Sequence, residues 1–282
     1  MPKCIYCQTD NTEPSIEHVI AEALGGCLKL PPNAVCKPCN NKVLGDEIDV
    51  PVKNDLTPIL VAHGILGKSG VAPTMTVTHN HPTEGARRYR VSPSEVSSVE
   101  KRKVLSRTGG VYEFRASSPD ELKTIHDEIA AKNPGKQVVL SDVEERPLEI
   151  PPDHLDAPDF TALHWSRWAA KTCLNLIAYA WGPDAARSPD FEALRAHAMS
   201  RSALKPAGLS VGGCGSDTVT ADETPPEHQI ELMSASGRIF VKMTAFEFCG
   251  FKYEGDAPSF RPVTRRIVLD AVNATVASDQ SA

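Results

Sequence analysis

The sequence predicts an α+β protein: a small cysteine-framed finger over residues 1–50, followed by a larger mixed accessory region over residues 51–282. Three observations predict it. Cys4, Cys7, Cys36 and Cys39 form two CxxC pairs that enclose the first segment. Short β-rich runs broken by Pro and Gly, with one capped helix among them, fill residues 71–143. Beyond them, a long apolar helix precedes alternating runs of the kind that build an antiparallel sheet.

Taken in order, Cys4-Ile5-Tyr6-Cys7 reads as a knuckle, residues 15–20 as a short strand, Pro31-Pro32-Asn33 as the loop into a second strand, and the stretch from Pro38 as a helix. Gly25-Gly26 supplies the flexible link between the two strands. Residues 74–79, 89–91 and 111–115 read as strands. Ser118-Pro119-Asp120-Glu121 is a capping box with proline at the first helical position, and Leu122, Ile125 and Ile129 follow at helical spacing. Residues 159–181 predict a longer helix with two apolar stripes. Trp165, Trp168, Leu176 and Tyr179 make one, and Ala170, Leu174, Ile177 and Trp181 the other. A helix that is apolar on two faces is buried. A shorter helix is expected over 189–199, and a Gly-rich loop over 208–216. Residues 229–232, 238–243 and 247–253 alternate as strands of a terminal sheet, and residues 277–282 are expected to fray.

With 282 residues, 41% of them apolar, the chain can build one large or two modest cores. Its longest apolar stretches fall short of the roughly 18–20 residues needed to cross a bilayer. The start, Met1-Pro2-Lys3-Cys4, lacks a charged segment followed by an apolar run, so a cytoplasmic location is expected. A net charge of −6 argues against a protein that coats nucleic acid over its whole surface, while leaving room for a local basic groove. Arg87, Arg88, Arg90, Lys101, Arg102, Lys103 and Arg107 make one basic cluster, and Arg261, Arg265 and Arg266 a second. A solvated strand face accounts for either cluster at least as well as phosphate binding does.

Four thiolates in two CxxC pairs suit one tetrahedral Zn²⁺, because each pair grips the metal from a tight turn and leaves the rest of the sphere to its partner. In a reducing compartment such pairs favour metal over disulfide. All-cysteine sites leave no open coordination position, so this zinc is read as structural. Cys27, Cys173, Cys214 and Cys249 have no motif spacing and read as small core residues or free thiols.

Between the pairs lie Ser15-Ile16-Glu17-His18-Val19-Ile20 and Asn33, and Cys39-Asn40-Asn41 opens the helix. Taken alone, His18 would be read as a core histidine and Asn40 as a helix-start residue. Together with Leu24-Gly25-Gly26, Gly45 and Ile48-Asp49 inside the cysteine frame, residues 4–49 resemble the HNH nuclease family. The resemblance implies a ββα-metal, treble-clef-like finger. In it His18 is the general base, and Asn33 is the middle asparagine that braces the hairpin loop and the histidine. Asn40 takes the final position, and Glu17 joins it in binding a catalytic divalent ion, Mg²⁺ or Mn²⁺. The chain departs from the commonest family pattern in three ways: Glu in place of Asp at 17, Ile20 where a proline is common, and Asn41 directly beside Asn40.

These residue types suit phosphodiester hydrolysis. A neutral imidazole with an ordinary pKa near 6.5 can take a proton from water at physiological pH. Oxygen ligands hold a hard cation that offsets charge on the phosphate and the leaving oxygen. The expected function is therefore a metal-dependent endonuclease acting on DNA, with a homodimer as one way to cut both strands. The alternative is a zinc-stabilised nucleic-acid or protein binding module without catalysis. A redox role for the CxxC pairs is disfavoured, because no thioredoxin-like βαβ pattern surrounds either pair. Residues 51–282 carry no motif with an assignable chemistry.

Overall fold

The computed structural model describes residues 2–281 apart from 68–69, 72, 82–84, 95, 99–103, 109–110, 115–118, 136, 140–161, 201–203, 214–225, 247–248 and 258–259. The chain is α+β and divides into two compact units, Met1–Pro73 with Ala157–Ala282, and Thr74–Asp156.

In the first unit the finger begins with strand β1 (Pro14–Ser15), paired antiparallel with β2 (Val35–Cys36). The single strand expected over residues 15–20 is divided between two partners. Ser15 pairs with Val35. The next residues turn to a different segment: Val19 N–H donates to Leu28 O, Leu30 N–H donates to Glu17 O, and His18 bridges Lys29. One chain segment thus serves as the edge of two short ladders, which puts a break where uniform alternation suggested continuity. From Cys39 to Asp49 the backbone forms a helix wider than an α-helix, with Val50 N–H donating five residues back to Gly45 O. Helices of this type are rare and concentrate at functional sites. Two short helices follow, Val50–Asp55 and Thr57–Ala62.

The long helix runs Leu163–Trp181, and residues 159–161 of the expected span lie outside the described residues. Every residue from Trp165 to Ala178 is buried, as the two apolar stripes predict. On one side it meets the terminal sheet, where Trp168 packs edge-on against Phe251 with ring centroids 5.9 Å apart. On another it meets the wide helix and the helix after it. The short helix expected over 189–199 is a single 3₁₀ turn, Pro189–Phe191, continued by Glu192–Met199.

The terminal sheet is antiparallel and six-stranded, built of β8 (Leu209–Gly213), β9 (Glu227–Ala235), β10 (Arg238–Ala245), β11 (Cys249–Asp256), β12 (Val263–Asp270) and β13 (Thr275–Ser281). Its strand order is β13-β12-β9-β10-β11-β8. Both edges correct the sequence reading. The expected Gly-rich loop holds β8, where Gly212 sits opposite Gly250 of β11 and Val211 opposite Phe251. The glycines lower strand propensity without preventing pairing at an edge. The tail expected to fray is β13, paired with β12 and fastened by Arg265, whose Nε donates to Asp279 Oδ1 at 2.9 Å. Its side chains are mostly exposed, so no apolar alternation marked it.

The second unit contains a three-stranded sheet, β3 (Met75–His81), β4 (Gly85–Val91) and β5 (Val96–Ser98). It also has a hairpin of β6 (Val104–Thr108) with β7 (Val111–Phe114), and a helix, Pro119–Lys132. Ser118 of the expected capping box lies outside the described residues, as do Lys101, Arg102 and Lys103 of the basic cluster. Arg88 and Arg90 are exposed on β4 on either side of buried Tyr89, which is the pattern of a solvated strand face.

Candidate metal centre and active site

The knuckle and the start of the wide helix bring Cys4, Cys7, Cys36 and Cys39 together, with all four Sγ atoms within 4.8 Å of one another. Cys7 Sγ and Cys36 Sγ are 3.8 Å apart. Zn–S bonds of about 2.3 Å in a tetrahedron require sulfurs about 3.8 Å apart, so the donor set fits zinc in number, type and spacing. Backbone N–H groups of Tyr6 and Cys36 each point at Cys4 Sγ from 3.4 Å. A hydrogen bond from the Cys39 thiol and these N–H groups hold the Cys4 thiol far down, at about 4, while Cys39 is correspondingly raised. The two backbone N–H groups favour the thiolate form of Cys4, the form in which a cysteine binds a metal.

His18 lies in the second of the two ladders, opposite Lys29, partly exposed, with Nε2 4.0 Å from Glu22 Oε2. Burial lowers its pKa, against the opposing pull of Glu22. The imidazole is therefore neutral at physiological pH, the state a general base needs.

Asn40 is turned back onto the same segment. Its Nδ2 donates to Ser15 Oγ at 2.8 Å and to Ile16 O at 2.9 Å. The Ile16 carbonyl can only accept, which fixes the amide orientation and directs Oδ1 away from these partners. Asn41, by contrast, is exposed on the next position of the helix. The two adjacent asparagines thus differ in their surroundings. At Asn33 the structure engages the backbone: φ is +76°, and the carbonyl accepts from Asn11 Nδ2 at 3.0 Å. Asparagine tolerates this left-handed conformation better than most residues do.

Glu17 is only 4% exposed, and its carboxylate faces the long helix. Oε1 lies 2.8 Å from Lys171 Nζ and accepts from Asn175 Nδ2 at 3.1 Å. Lys171 Nζ also donates to Asp49 Oδ2 at 2.6 Å. One step along the same helix face, Arg167 donates through both terminal nitrogens to Glu47 Oε2 at 3.2 Å. Arg167, Lys171 and Asn175 thus form a polar stripe at spacing four along a buried helix, and every acid they meet belongs to the finger. Asp49, which could be taken for a solvated helix residue, is partly buried against Lys171 in this network. Burial raises its carboxyl to about 6 against the pull of Lys171. Lys171, fully buried, is held charged by Asp49 and Glu17, which outweigh its desolvation.

The sequence reading missed Lys171, Asn175, Arg167 and Tyr6. A signal existed in Arg167, Lys171 and Asn175 repeating every four positions inside a helix that the apolar stripes mark as buried. Their partners lie more than a hundred residues upstream and cannot be read from that spacing.

Residues 4–57 match the family model described as HNH endonuclease, and the match leaves residues 58–282 uncovered. No curated protein and no solved structure matches the chain. Among the described residues, no helix is long and apolar enough to cross a membrane.

Proposed function

We propose, on the premise that residues 4–57 belong to the HNH endonuclease family, that this chain is a divalent-metal-dependent endonuclease cleaving phosphodiester bonds in DNA. The observation that carries the reading is the convergence of a neutral, partly exposed His18 with the oriented Asn40 amide on one segment, residues 15–18, beside the four-cysteine cluster.

His18 takes the proton from the attacking water, and the backbone ladder through Val19 and Leu30 holds its position in the hairpin. Asn40 Oδ1 and the Glu17 carboxylate, whose contacts with the long helix both fall on Oε1, are the oxygen donors that would hold the divalent ion. Such a donor set suits a hard cation such as Mg²⁺ or Mn²⁺, which supplies Lewis acidity at the phosphate when bound. Asn33 acts through its backbone, setting the turn that leads into Val35 and Cys36. The four cysteines hold zinc as a structural clip. On this reading the protein works in the cytoplasm, and a homodimer would present two centres to the two strands of a duplex.

The test is a supercoiled-plasmid assay with Mg²⁺, Mn²⁺ or EDTA, run beside His18→Ala protein whose zinc content has been verified. Metal-dependent nicking should fall by at least about a hundredfold in the variant, since general-base catalysis contributes roughly 10²–10⁴. Nicking that persists in zinc-loaded His18→Ala protein would overturn the assignment of the base. DNA binding without cleavage by either protein would favour a zinc-stabilised binding module.

A further inference from the structure

Resting on that nuclease reading, we propose that Asn175 and Lys171 are positioning residues for His18, so that the long helix sets the geometry of a nuclease finger 158 residues upstream in sequence.

The buried amide of Asn175 is fully engaged. Its Nδ2 donates to Glu17 Oε1 at 3.1 Å and to the His18 carbonyl at 3.1 Å, and its Oδ1 accepts from Tyr6 Oη at 2.6 Å. The orientation is determined, because a reversed amide would set its oxygen against a carboxylate and a carbonyl. A single side chain therefore grips both the peptide oxygen of His18 and the side chain of the residue before it. Those two points, with the Lys29 bridge across the hairpin, fix the backbone from which the imidazole projects.

Lys171 completes the hold. Its ammonium sits between Glu17 Oε1 at 2.8 Å and Asp49 Oδ2 at 2.6 Å, joining the histidine-bearing hairpin to the last turn of the wide helix that carries Asn40. His18 and Asn40 thus sit on elements tied to a common buried cation. Buried charge networks are a poor way to gain stability, since apolar residues of similar volume often serve as well or better. They do fix orientation, because each partner has only one arrangement in which its hydrogen bonds are met. Lys171 and Asn175 direct their side-chain polar groups at the finger, meeting Glu17, Asp49, Tyr6 and the His18 carbonyl, and that arrangement fits a positioning role better than a stabilising one.

The experiment uses the full chain with zinc content verified, as wild type, Asn175→Ala and Tyr6→Phe. Tyr6→Phe removes only the hydroxyl that orients Asn175 and keeps the ring. Two readouts are taken: kcat and KM for metal-dependent cleavage, and the ring resonances of His18, assigned by their loss in His18→Ala protein. Asn175→Ala should lower kcat by about tenfold to a hundredfold with KM nearly unchanged, the range that a misplacement of about 1 Å produces. Tyr6→Phe should show a smaller loss in the same direction, and the His18 ring resonances should move in both variants. Wild-type kcat and unmoved ring resonances in the two variants would overturn the proposal. If Asn175→Ala protein does not fold, Tyr6→Phe decides by the same criteria. If wild-type protein binds DNA but does not cut it, the nuclease reading fails by itself, and the ring resonances alone decide whether the long helix positions His18.

Discussion

Among the described residues, His228 commits one ring nitrogen and leaves the other without a partner. Fully buried at the start of β9, it contacts the Leu24 carbonyl through Nε2 at 2.6 Å, while Nδ1 meets no acceptor among them. Leu24 belongs to the turn that closes the finger's hairpin, so this contact ties the terminal sheet to the finger. The neutral ring donates from Nε2, and protonation would bury a second N–H with nothing to receive it. Burial accordingly lowers the pKa to about 4, against the opposing effect of the Leu24 bond. As the pH falls, the unfolded chain, with histidine near 6.5, takes up this proton before the folded chain does. Stability from this residue is thus complete above about pH 7, drains between roughly 6.5 and 4, and amounts to on the order of 3 kcal/mol. Melting temperature followed from pH 7 to pH 4 should fall more steeply for wild type than for His228→Gln. Parallel curves would show that His228 does not contribute to acid sensitivity.

At the scale of elements, the Gly25-Gly26 turn is needed for space. A Cβ at Gly26 would lie 2.0 Å from the Ile20 carbonyl, and one at Gly25, where φ is +78°, would lie 2.3 Å from the Ala271 carbonyl. Both obstacles are backbone and cannot swing aside. Gly26→Ala should therefore destabilise by about 1–3 kcal/mol, the range for overpacking with backbone shifts. The measurement is the urea midpoint at unchanged slope, with Gly67→Ala as the control because a Cβ there meets nothing within 4 Å. Equal midpoints for the two variants would show that the turn can open. The sequence did suggest this link, the knuckle and the helix after Pro38, because turn glycines, CxxC spacing and helix starts are local signals. It also predicted the burial of the long helix, since apolar residues on two faces leave no solvated side. It did not disclose β8 or β13, because edge strands are paired on one side only and need not alternate. Nor could it reveal what Glu17 and Asp49 face. A carboxylate reads the same in sequence whether its partner is water, a metal ion or a lysine more than a hundred residues away, and only packing settled that Lys171 stands there.

For the whole molecule, the segment that matches the HNH family is not a free-standing finger. Leu44, Ile48, Val52 and Leu56 are wholly buried, and the helices that carry them pack against the long helix. Arg195 reaches the knuckle at the Ile5 carbonyl, and His228 reaches the hairpin turn. In an isolated segment of residues 1–73 the carboxylates of Glu17 and Asp49 would turn to water, so the main loss would be apolar cover rather than charge pairing. At about 1.5–3 kcal/mol per fully buried aliphatic side chain, exposing those four residues forfeits about 6–12 kcal/mol. That is comparable with the entire stability of an ordinary domain, about 5–15 kcal/mol. Zinc bound at the four cysteines restores the knuckle and the helix start, but it does not cover the far side of the wide helix. The isolated segment should therefore bind one zinc yet lack cooperative thermal unfolding and dispersed amide resonances. A zinc-loaded segment that melts cooperatively near the full-chain temperature would show that the finger folds independently, with residues 157–282 serving only as an attachment. The expected outcome would instead make those residues part of the fold of the family-matching segment, joined to it through Lys171, Asn175 and the apolar surface around them.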